Sequence, residues 1–194
     1  MLASIRNNKM KLNKAKTTIA GLLILVISSC GTFEKATTLN PETNYFPAKE
    51  KKKCTVLKEI SVNADTLKIL LVVPTSNYWL EMGKNLDYFE SVLTYDQFQS
   101  EIVKKGLSDQ IPSLAEKVGL NRAYNLYKPF VILNITKVKK TGNSWYAGLT
   151  LYDPNRADII FQNEIWLNLM WDGWTDQGTM FPLFNSLLDY LRKQ

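Results

Sequence analysis

The sequence predicts an α/β (α+β) fold with a single mixed β-sheet, a C-terminal antiparallel meander and about three helices packed on the sheet. Two observations support this prediction. The stretch Ile69 to Val73 is apolar at every position and ends at Pro74, as expected for a central strand that is covered on both faces. Residues 130–169 contain three segments with alternating apolar and polar residues, separated by turn-forming sequences, which indicates consecutive antiparallel strands.

The remaining elements follow from local patterns. The first strand is interrupted by Lys58, which is typical of a sheet edge. Residues 76–87 mix polar and aromatic side chains around Gly83 and are predicted to form a loop with one short helix. In chain order we predict strands at 55–62, 67–73 and 89–93, helices at 94–105 and 113–127, strands at 130–139, 145–152 and 159–169, and a helix at 179–192.

Two of the predicted helices begin at recognisable caps. Thr94 followed by Gln97 is a capping-box pattern, and Ser113 followed by Glu116 is a second one. Gly119 weakens the middle of the second helix, so two shorter helices are an alternative there. The last helix has apolar residues at helical spacing on one side, and the sequence therefore predicts that it faces the sheet.

Residues 1–29 have the organisation of a secretion signal. Five basic residues and no acid precede an apolar core from Ile19 to Ile27, and this core is far shorter than the roughly 20 residues that span a bilayer. A start at Met10 would give a shorter and more ordinary leader. The alternative, a buried hydrophobic helix, fits poorly because the run ends in small residues without amphipathic periodicity.

The leader ends in Ile27-Ser28-Ser29-Cys30. This motif resembles the lipobox of bacterial lipoproteins, in which an aliphatic residue and two small residues precede a lipidated cysteine. The resemblance implies that Cys30 becomes the mature N-terminus and carries a diacylglyceryl thioether and an acylated amine, with palmitate among the attached chains. Two or more acyl chains give stable membrane anchoring, which a single chain does not.

Removal of the leader also removes most of the net positive charge. The full chain has 24 basic and 18 acidic residues, and five of the basic residues precede Cys30, so the mature protein is nearly neutral. Bulk charge therefore gives no argument for nucleic-acid binding. The mature chain is long enough for one domain with a substantial core.

The cysteine and histidine content of the sequence limits the kinds of catalytic site and metal site that the chain can form. If Cys30 is lipidated, Cys54 has no partner in its own chain. We interpret Cys54 as a structural thiol; the alternative is an intermolecular bridge or a reactive thiol whose pKa is lowered by Lys51, Lys52 and Lys53. The sequence contains no histidine, which excludes nucleophiles activated by imidazole and disfavours the common catalytic zinc sites.

Residues 30–54 are predicted to be a flexible lipid-anchored tether, and 55–194 a single α/β globular domain. The tether is rich in Thr, Asn, Pro, Glu and Lys and has few apolar residues. Its lysine run at 49–53 is interpreted as a solvated linker, and contact with anionic lipid headgroups is the alternative.

Three parts of the predicted domain carry a resemblance to known envelope proteins. They are KILLVVP (68–74), YFESVLTYDQFQSEIVKKGL (88–107), and the strand pair WYAGLTLYD (145–153) with DIIFQNEIW (158–166). The arrangement resembles a group comprising the curli-secretion channel lipoproteins, the outer-membrane activators of peptidoglycan synthases and the N-terminal domain of TolB. The resemblance implies an α/β domain and does not carry function by itself. The chain lacks the channel-forming hairpins of the curli protein.

Aromatic side chains are the best candidates for contact with a partner. Tyr78 and Trp79 lie in the stretch predicted as a loop with a short helix, and Trp166, Met170 and Trp174 lie at or beyond the end of the last strand. Strand alternation places Trp166 and Met170 on the face opposite the core. There they are either covered by a second layer of helices or form an exposed patch for a partner.

No metal or cofactor is predicted. The acidic loop 172–178 fails the spacing of a calcium loop because Trp174 stands where a ligand is required. The carboxylate pairs that might act as acid and base are Glu81 with Asp87 and Asp153 with Asp158, all in turn or surface contexts.

These observations predict a non-enzymatic, membrane-anchored envelope lipoprotein that binds another envelope component, with a protein as the expected partner. Gly31 follows Cys30, so the inner-membrane retention aspartate known in enteric bacteria is missing, and the resemblance implies the outer membrane. One alternative is a carboxylate-dependent cell-wall hydrolase, which needs two carboxyl groups in a cleft. Another is a toxin-binding or ligand-binding immunity module, which needs a deep pocket or a strongly charged face.

Overall fold

The computed structural model describes residues 36–49, 53–73, 75–111, 113–140, 142, 144–167 and 175–194, with the backbone alone at 138 and 139. These residues belong to one compact unit that runs from Phe33 to Gln194. The predicted signal (residues 1–29) and, among the other residues named above, Cys30, Gly31, Lys51, Lys52, Pro74, Met170 and Trp174 lie outside the described ranges. In the part of the chain that is described, no helix has the length and apolar character needed to cross a bilayer.

Six strands form one mixed sheet in the order β1-β6-β5-β4-β2-β3. The strands are β1 (Thr55–Glu59), β2 (Ile69–Val73), β3 (Ser91–Thr94), β4 (Phe130–Lys139), β5 (Trp145–Asp153) and β6 (Asp158–Leu167). Strands β4, β5 and β6 form the predicted antiparallel meander, and β1 pairs with β6 at one edge. Strand β2 lies parallel to both β3 and β4. The predicted fold class, with β1 as an edge strand, is confirmed.

Four helices accompany the sheet: α1 (Asn77–Lys84), α2 (Tyr95–Lys104), α3 (Lys117–Leu126) and α4 (Phe181–Leu191). Helix α1 occupies the stretch predicted to contain a short helix. The capping box at α2 is confirmed, since the Gln97 amide donates to the Thr94 hydroxyl and the Thr94 amide donates to the Gln97 side chain. A single π-helical turn, Asp176–Met180, leads into α4, and Pro182 lies in the first turn of that helix.

Helix α3 begins four residues later than predicted. The Ser113 hydroxyl accepts from the amide of Ala115 at 3.2 Å, which is a local turn, and Glu116 takes the N-cap position without a side-chain bond. The chain before the helix passes directly against Gly119, where an ideal Cβ would lie 1.5 Å from the Ser113 carbonyl oxygen. The prediction of a capping box at Ser113 is therefore wrong, because this close approach requires a turn before the helix.

The two faces of the sheet carry separate cores. On the face that we call inner, α1 and α4 pack on β2, β4, β5 and β6. On the outer face, α2 and α3 pack on β2 and the start of β4, and this second core includes no described residue of β5 or β6. The four described helices therefore cover the inner face broadly and the outer face at one side only.

Asn163 ties the meander to α4 across the inner core. This residue is 1% exposed. Its side-chain oxygen accepts from the Leu149 amide at 3.1 Å, and its side-chain nitrogen donates to the Leu183 carbonyl at 2.9 Å. A buried amide with both of its groups bonded avoids the desolvation cost of an unpaired polar group and fixes the helix relative to the strands.

Residues 36–49, which we call the docked segment, lie against α4. Phe46 is 2% exposed, and its ring centroid lies 5.9 Å from that of Phe181 and 6.0 Å from that of Phe184. The Asn185 side chain accepts from the Phe46 amide at 2.8 Å and donates to the Phe46 carbonyl at 2.9 Å. The globular unit therefore includes residues that the sequence predicted to belong to the tether.

Polar contacts on either side of Phe46 extend this attachment. The Tyr45 hydroxyl donates to Asp189 at 2.5 Å, and the Arg192 guanidinium lies 4.8 Å from the centre of the Tyr45 ring. The Lys49 amide donates to the Gln177 carbonyl at 2.9 Å. The docked segment is thus held by α4 and by the turn that precedes it.

Candidate binding surface

No helix in the described part of the chain packs on the outer face of strands β5 and β6. Opposite residues in an antiparallel pair share a face, so the cross-strand pairs define this surface. The pairs are Tyr146 with Trp166, Gly148 with Glu164 and Thr150 with Gln162. Trp166 is 49% exposed, whereas the next residue, Leu167, is 3% exposed. The predicted position of Trp166 opposite the core is confirmed.

The charged side chains of this face hold its aromatic residues in place. The Lys140 ammonium lies 4.4 Å from the centre of the Tyr146 ring and forms an ion pair with Glu164. The Glu164 side chain is 14% exposed and that of Lys140 is 43% exposed. A cation over an aromatic ring is an attractive contact, and here the carboxylate also fixes the cation. We call Lys140, Tyr146, Glu164 and Trp166 the outer-face patch.

At Gly148, the middle of this face has no side chain that projects from the sheet. An ideal Cβ on Gly148 would lie 2.7 Å from the backbone oxygen of Asn163, and backbone atoms cannot move aside cheaply. The Thr136 hydroxyl and the Glu164 Cβ are the next nearest groups, at 3.5 and 3.7 Å. A side chain at position 148 would therefore push β5 away from β6. Because glycine has no side chain, the sheet surface beside Tyr146 is flat.

Tyr78 and Trp79 lie on the other side of the sheet, at the start of α1. The Tyr78 hydroxyl donates to Asp176, and burial together with this bond raises the pKa of Tyr78. The Trp79 ring is nearly parallel to that of Phe184, with centroids 6.4 Å apart. Both residues pack on the inner core, so the structure does not bring them together with Trp166. A partner-binding role for Tyr78 and Trp79 stays a prediction.

Sequence reasoning found Trp166 but missed the other three residues of the outer-face patch. Lys140 lies between two predicted strands, and Tyr146 and Glu164 alternate with the core residues of their strands. The signal that locates them is the register of the β5–β6 hairpin, which places Tyr146 opposite Trp166. Met170 and Trp174, the remaining predicted contact residues, are not in the described ranges.

Two of the four carboxylates considered for acid–base chemistry, Asp153 and Asp158, form contacts that stabilise the fold. Asp153 is 3% exposed, accepts from the amide of Asn155 at 2.8 Å and lies 3.6 Å from the Arg156 guanidinium. Both oxygens of Asp158 lie 2.8 Å from the Lys58 ammonium, and this hydrogen bond lowers the pKa of Asp158. These carboxylates stabilise a turn and a strand edge. Glu81 and Asp87 are exposed, with Asp87 in the left-handed region at φ 49°.

Two open depressions follow the surface of α2. They have volumes of about 480 and 400 Å³, and Asp96, Ser100 and Lys104 line both. Small-molecule sites are usually enclosed, whereas both of these depressions are open to solvent. Within the described ranges, no group of three or more His, Cys, Asp or Glu side chains is arranged to hold a metal ion.

Cys54 is expected to react slowly with alkylating agents. Burial raises the pKa of its thiol to about 12, opposite to the lowering that neighbouring lysines would cause. At pH 8 the thiolate fraction would be about 10⁻⁴, against roughly a quarter for an unperturbed cysteine. Iodoacetamide labelling of the folded chain, followed by mass spectrometry, should be at least ~100-fold slower than labelling in urea. Equal labelling rates in buffer and in urea would show that the thiol is reactive in the folded chain. The Cys54→Ser variant measures labelling at all other positions.

Comparison with known proteins gives weak structural likenesses. No family model and no curated protein matches the chain. The C-terminal domain of LpoB from Salmonella enterica is 15% identical, with a TM-score of 0.33, over 56% of this chain and 87% of that one. The C-terminal domain of LpoB from Escherichia coli is 17% identical, with a TM-score of 0.32, over 52% and 82%. A PelC dodecamer subunit from Paraburkholderia phytofirmans is 13% identical, with a TM-score of 0.38, over 74% and 100%. These scores are too low to carry an argument about function.

Proposed function

We propose that the chain is a non-enzymatic bacterial envelope lipoprotein that is anchored in the outer membrane through Cys30 and binds another envelope protein. The observation that supports the binding role is the outer-face patch, where Trp166 is 49% exposed beside Tyr146 on a sheet face that no described helix covers. Tryptophan and tyrosine dominate the energetic centres of protein interfaces.

The side chains of the outer-face patch restrain one another in the unbound protein. Lys140 contacts both the Tyr146 ring and the Glu164 carboxylate, so three of the four side chains restrain one another. Association is opposed by the loss of side-chain freedom, and restrained side chains have less freedom to lose. The patch therefore combines the residue types and the preorganisation of a protein contact.

Anchoring is tested on the cysteine itself. The motif Ile27-Ser28-Ser29-Cys30 supports acylation, and acyl chains would partition the mature protein into membranes. Radiolabelled palmitate supplied to cells should be incorporated into the wild-type chain. The Cys30→Ser variant should incorporate no label and should keep the size of the unprocessed precursor. Unchanged size and fractionation of Cys30→Ser would contradict the anchoring proposal.

The binding surface is tested by photocrosslinking in intact cells. A photoreactive amino acid at Gln162 lies two positions along β6 from Glu164 and leaves the patch intact, whereas one at Val118 probes a residue of α3 that is 63% exposed. We expect one discrete protein adduct from position 162 and none from position 118.

The substitution Trp166→Ala should weaken partner binding about 30-fold, as for an interface hot spot, while the melting temperature is retained. An adduct that is insensitive to Trp166→Ala would contradict the proposed surface.

A further inference from the structure

The docked segment begins at one end of the sheet. The Asn85 side-chain nitrogen donates to the Thr37 carbonyl at 2.9 Å, and Asn85 is the C-cap of α1. An ideal Cβ on Gly83, in the last turn of α1, would lie 3.0 Å from Val92 and 3.1 Å from Leu70, the second residues of β3 and β2. The chain therefore enters the domain beside the starts of β2 and β3. We call Thr37, Lys84, Asn85, Tyr88 and Phe89 the entry end.

The outer-face patch lies toward the opposite end of the sheet. Ile69, the first residue of β2, is opposite Phe130 of β4, whereas Val138 of β4 is opposite Tyr146. Tyr146 is in turn opposite Trp166. The eight residues from 130 to 138 rise roughly 26 Å at about 3.3 Å per residue. The patch is therefore separated from the entry end by roughly that distance along the strands.

The length of chain before the docked segment limits how the domain can sit on a membrane. Ala36 packs on the inner core beside Thr37, and the six peptide units from Cys30 to Ala36 span at most about 20 Å. If the outer-face patch lay on the membrane, the entry end would stand roughly 26 Å from it. The chain cannot bridge that distance, so acylation of Cys30 excludes this orientation.

The side chains of the entry end suit the boundary between membrane and water. Tyr88 and Phe89 are half-buried, with ring centroids 5.3 Å apart in an edge-to-face contact, and Lys84 is exposed in the last turn of α1. Aromatic rings occupy the headgroup level of membranes, and a lysine stem can cover apolar surface while its ammonium stays in water. Asp87 and Glu90 are exposed nearby, so we expect a contact that does not need anionic lipid.

We propose that the entry end faces the membrane in which Cys30 is anchored and that the outer-face patch is directed away from that membrane. This inference rests on the proposed anchoring. It places the contact site of the partner protein outside the headgroup layer, at up to roughly 45 Å from the bilayer surface. The partner would thus meet the domain on the side that is turned away from the anchor.

Energy transfer to labelled lipid tests this orientation on the full acylated chain. The chain, with Cys54→Ser, carries a donor dye on one cysteine, introduced either as Lys84→Cys at the entry end or as Ser144→Cys directly before β5. It is reconstituted into phosphatidylcholine vesicles that contain a small fraction of rhodamine-labelled lipid. Because the two sites differ by roughly 26 Å or more along the strands, we expect transfer from position 84 to be at least about twofold more efficient than from position 144.

Ser61→Cys is the matched control for Ser144→Cys, because it makes the same replacement at the other end of the sheet. Ser61 is exposed and follows Ile60, whose amide donates to the Ile160 carbonyl near the start of β6. We expect transfer from position 61 to exceed transfer from position 144. Equal or greater transfer from position 144, in a chain that floats with the vesicles, would overturn the orientation alone. A chain that does not float would overturn the anchoring, and this inference with it.

Discussion

Replacing Phe46 with alanine is expected to lower the free energy of unfolding by about 3–5 kcal/mol, as for other buried phenylalanines. The side chain is 2% exposed and fills a space between the rings of Phe181 and Phe184. Its removal would leave a cavity at α4 and weaken the two backbone hydrogen bonds to Asn185. Urea unfolding of the full chain, followed by tryptophan fluorescence, measures the loss.

Two variants control for this result. Glu42→Ala changes an exposed residue of the docked segment and should stay within about 0.5 kcal/mol of wild type. Phe46→Leu keeps most of the apolar volume and should fall between Phe46→Ala and wild type. A cost below about 0.5 kcal/mol for Phe46→Ala would mean that the docked segment adds nothing to stability, and that the fold begins at β1 as the sequence suggested.

Replacing Gly119 with alanine should destabilise the protein by about 2 kcal/mol or more, the range found for overpacked sites. Helix propensity alone predicts the opposite sign, a gain of about 1 kcal/mol. The difference arises because the new methyl group would lie 1.5 Å from the Ser113 carbonyl oxygen, so the turn before α3 must move. Thermal unfolding of the variant gives the sign directly.

Gly83→Ala in α1 is the matched comparison, since it makes the same chemical change in another helix. The added methyl group would meet side-chain atoms of Val92, Leu70 and Val72 at 3.0 to 3.4 Å, and side chains can shift more easily than backbone. We therefore expect Gly83→Ala to cost clearly less than Gly119→Ala. A stabilising Gly119→Ala would show that the approach of the chain before α3 is not as close as described.

Most of the sheet could be predicted because its signals are local. The all-apolar run of β2 and the alternation of β4, β5 and β6 each depend on a few consecutive residues, and turn formers separate the strands. The start of α3 was missed because its cause is a contact between Ser113 and Gly119, which a capping pattern does not contain. Docking of Phe46 was missed because one aromatic residue in a polar stretch does not reveal its distant partners on α4.

The candidate surface was predictable in part for the same reason. Alternation along β6 was sufficient to place Trp166 opposite the core. Whether that face is covered depends on where α2 and α3 lie, and this is set by long-range packing on β2 and β4. Lys140 joins the outer-face patch only through strand register, because it lies 24 positions from the Glu164 carboxylate it contacts.

The attachment of Phe46 to α4 shortens the stretch of chain that could separate the domain from a lipid anchor at Cys30. Between an acylated Cys30 and Ala36, the first described residue, six peptide units span at most about 20 Å, whereas the 24 units from Cys30 to Cys54 could extend over roughly 80 Å. If Cys30 is acylated as we propose, the domain would be held within about 20 Å of the bilayer surface. A partner protein would then have to lie close to that surface, because the stretch of chain between the anchor and the docked segment is short.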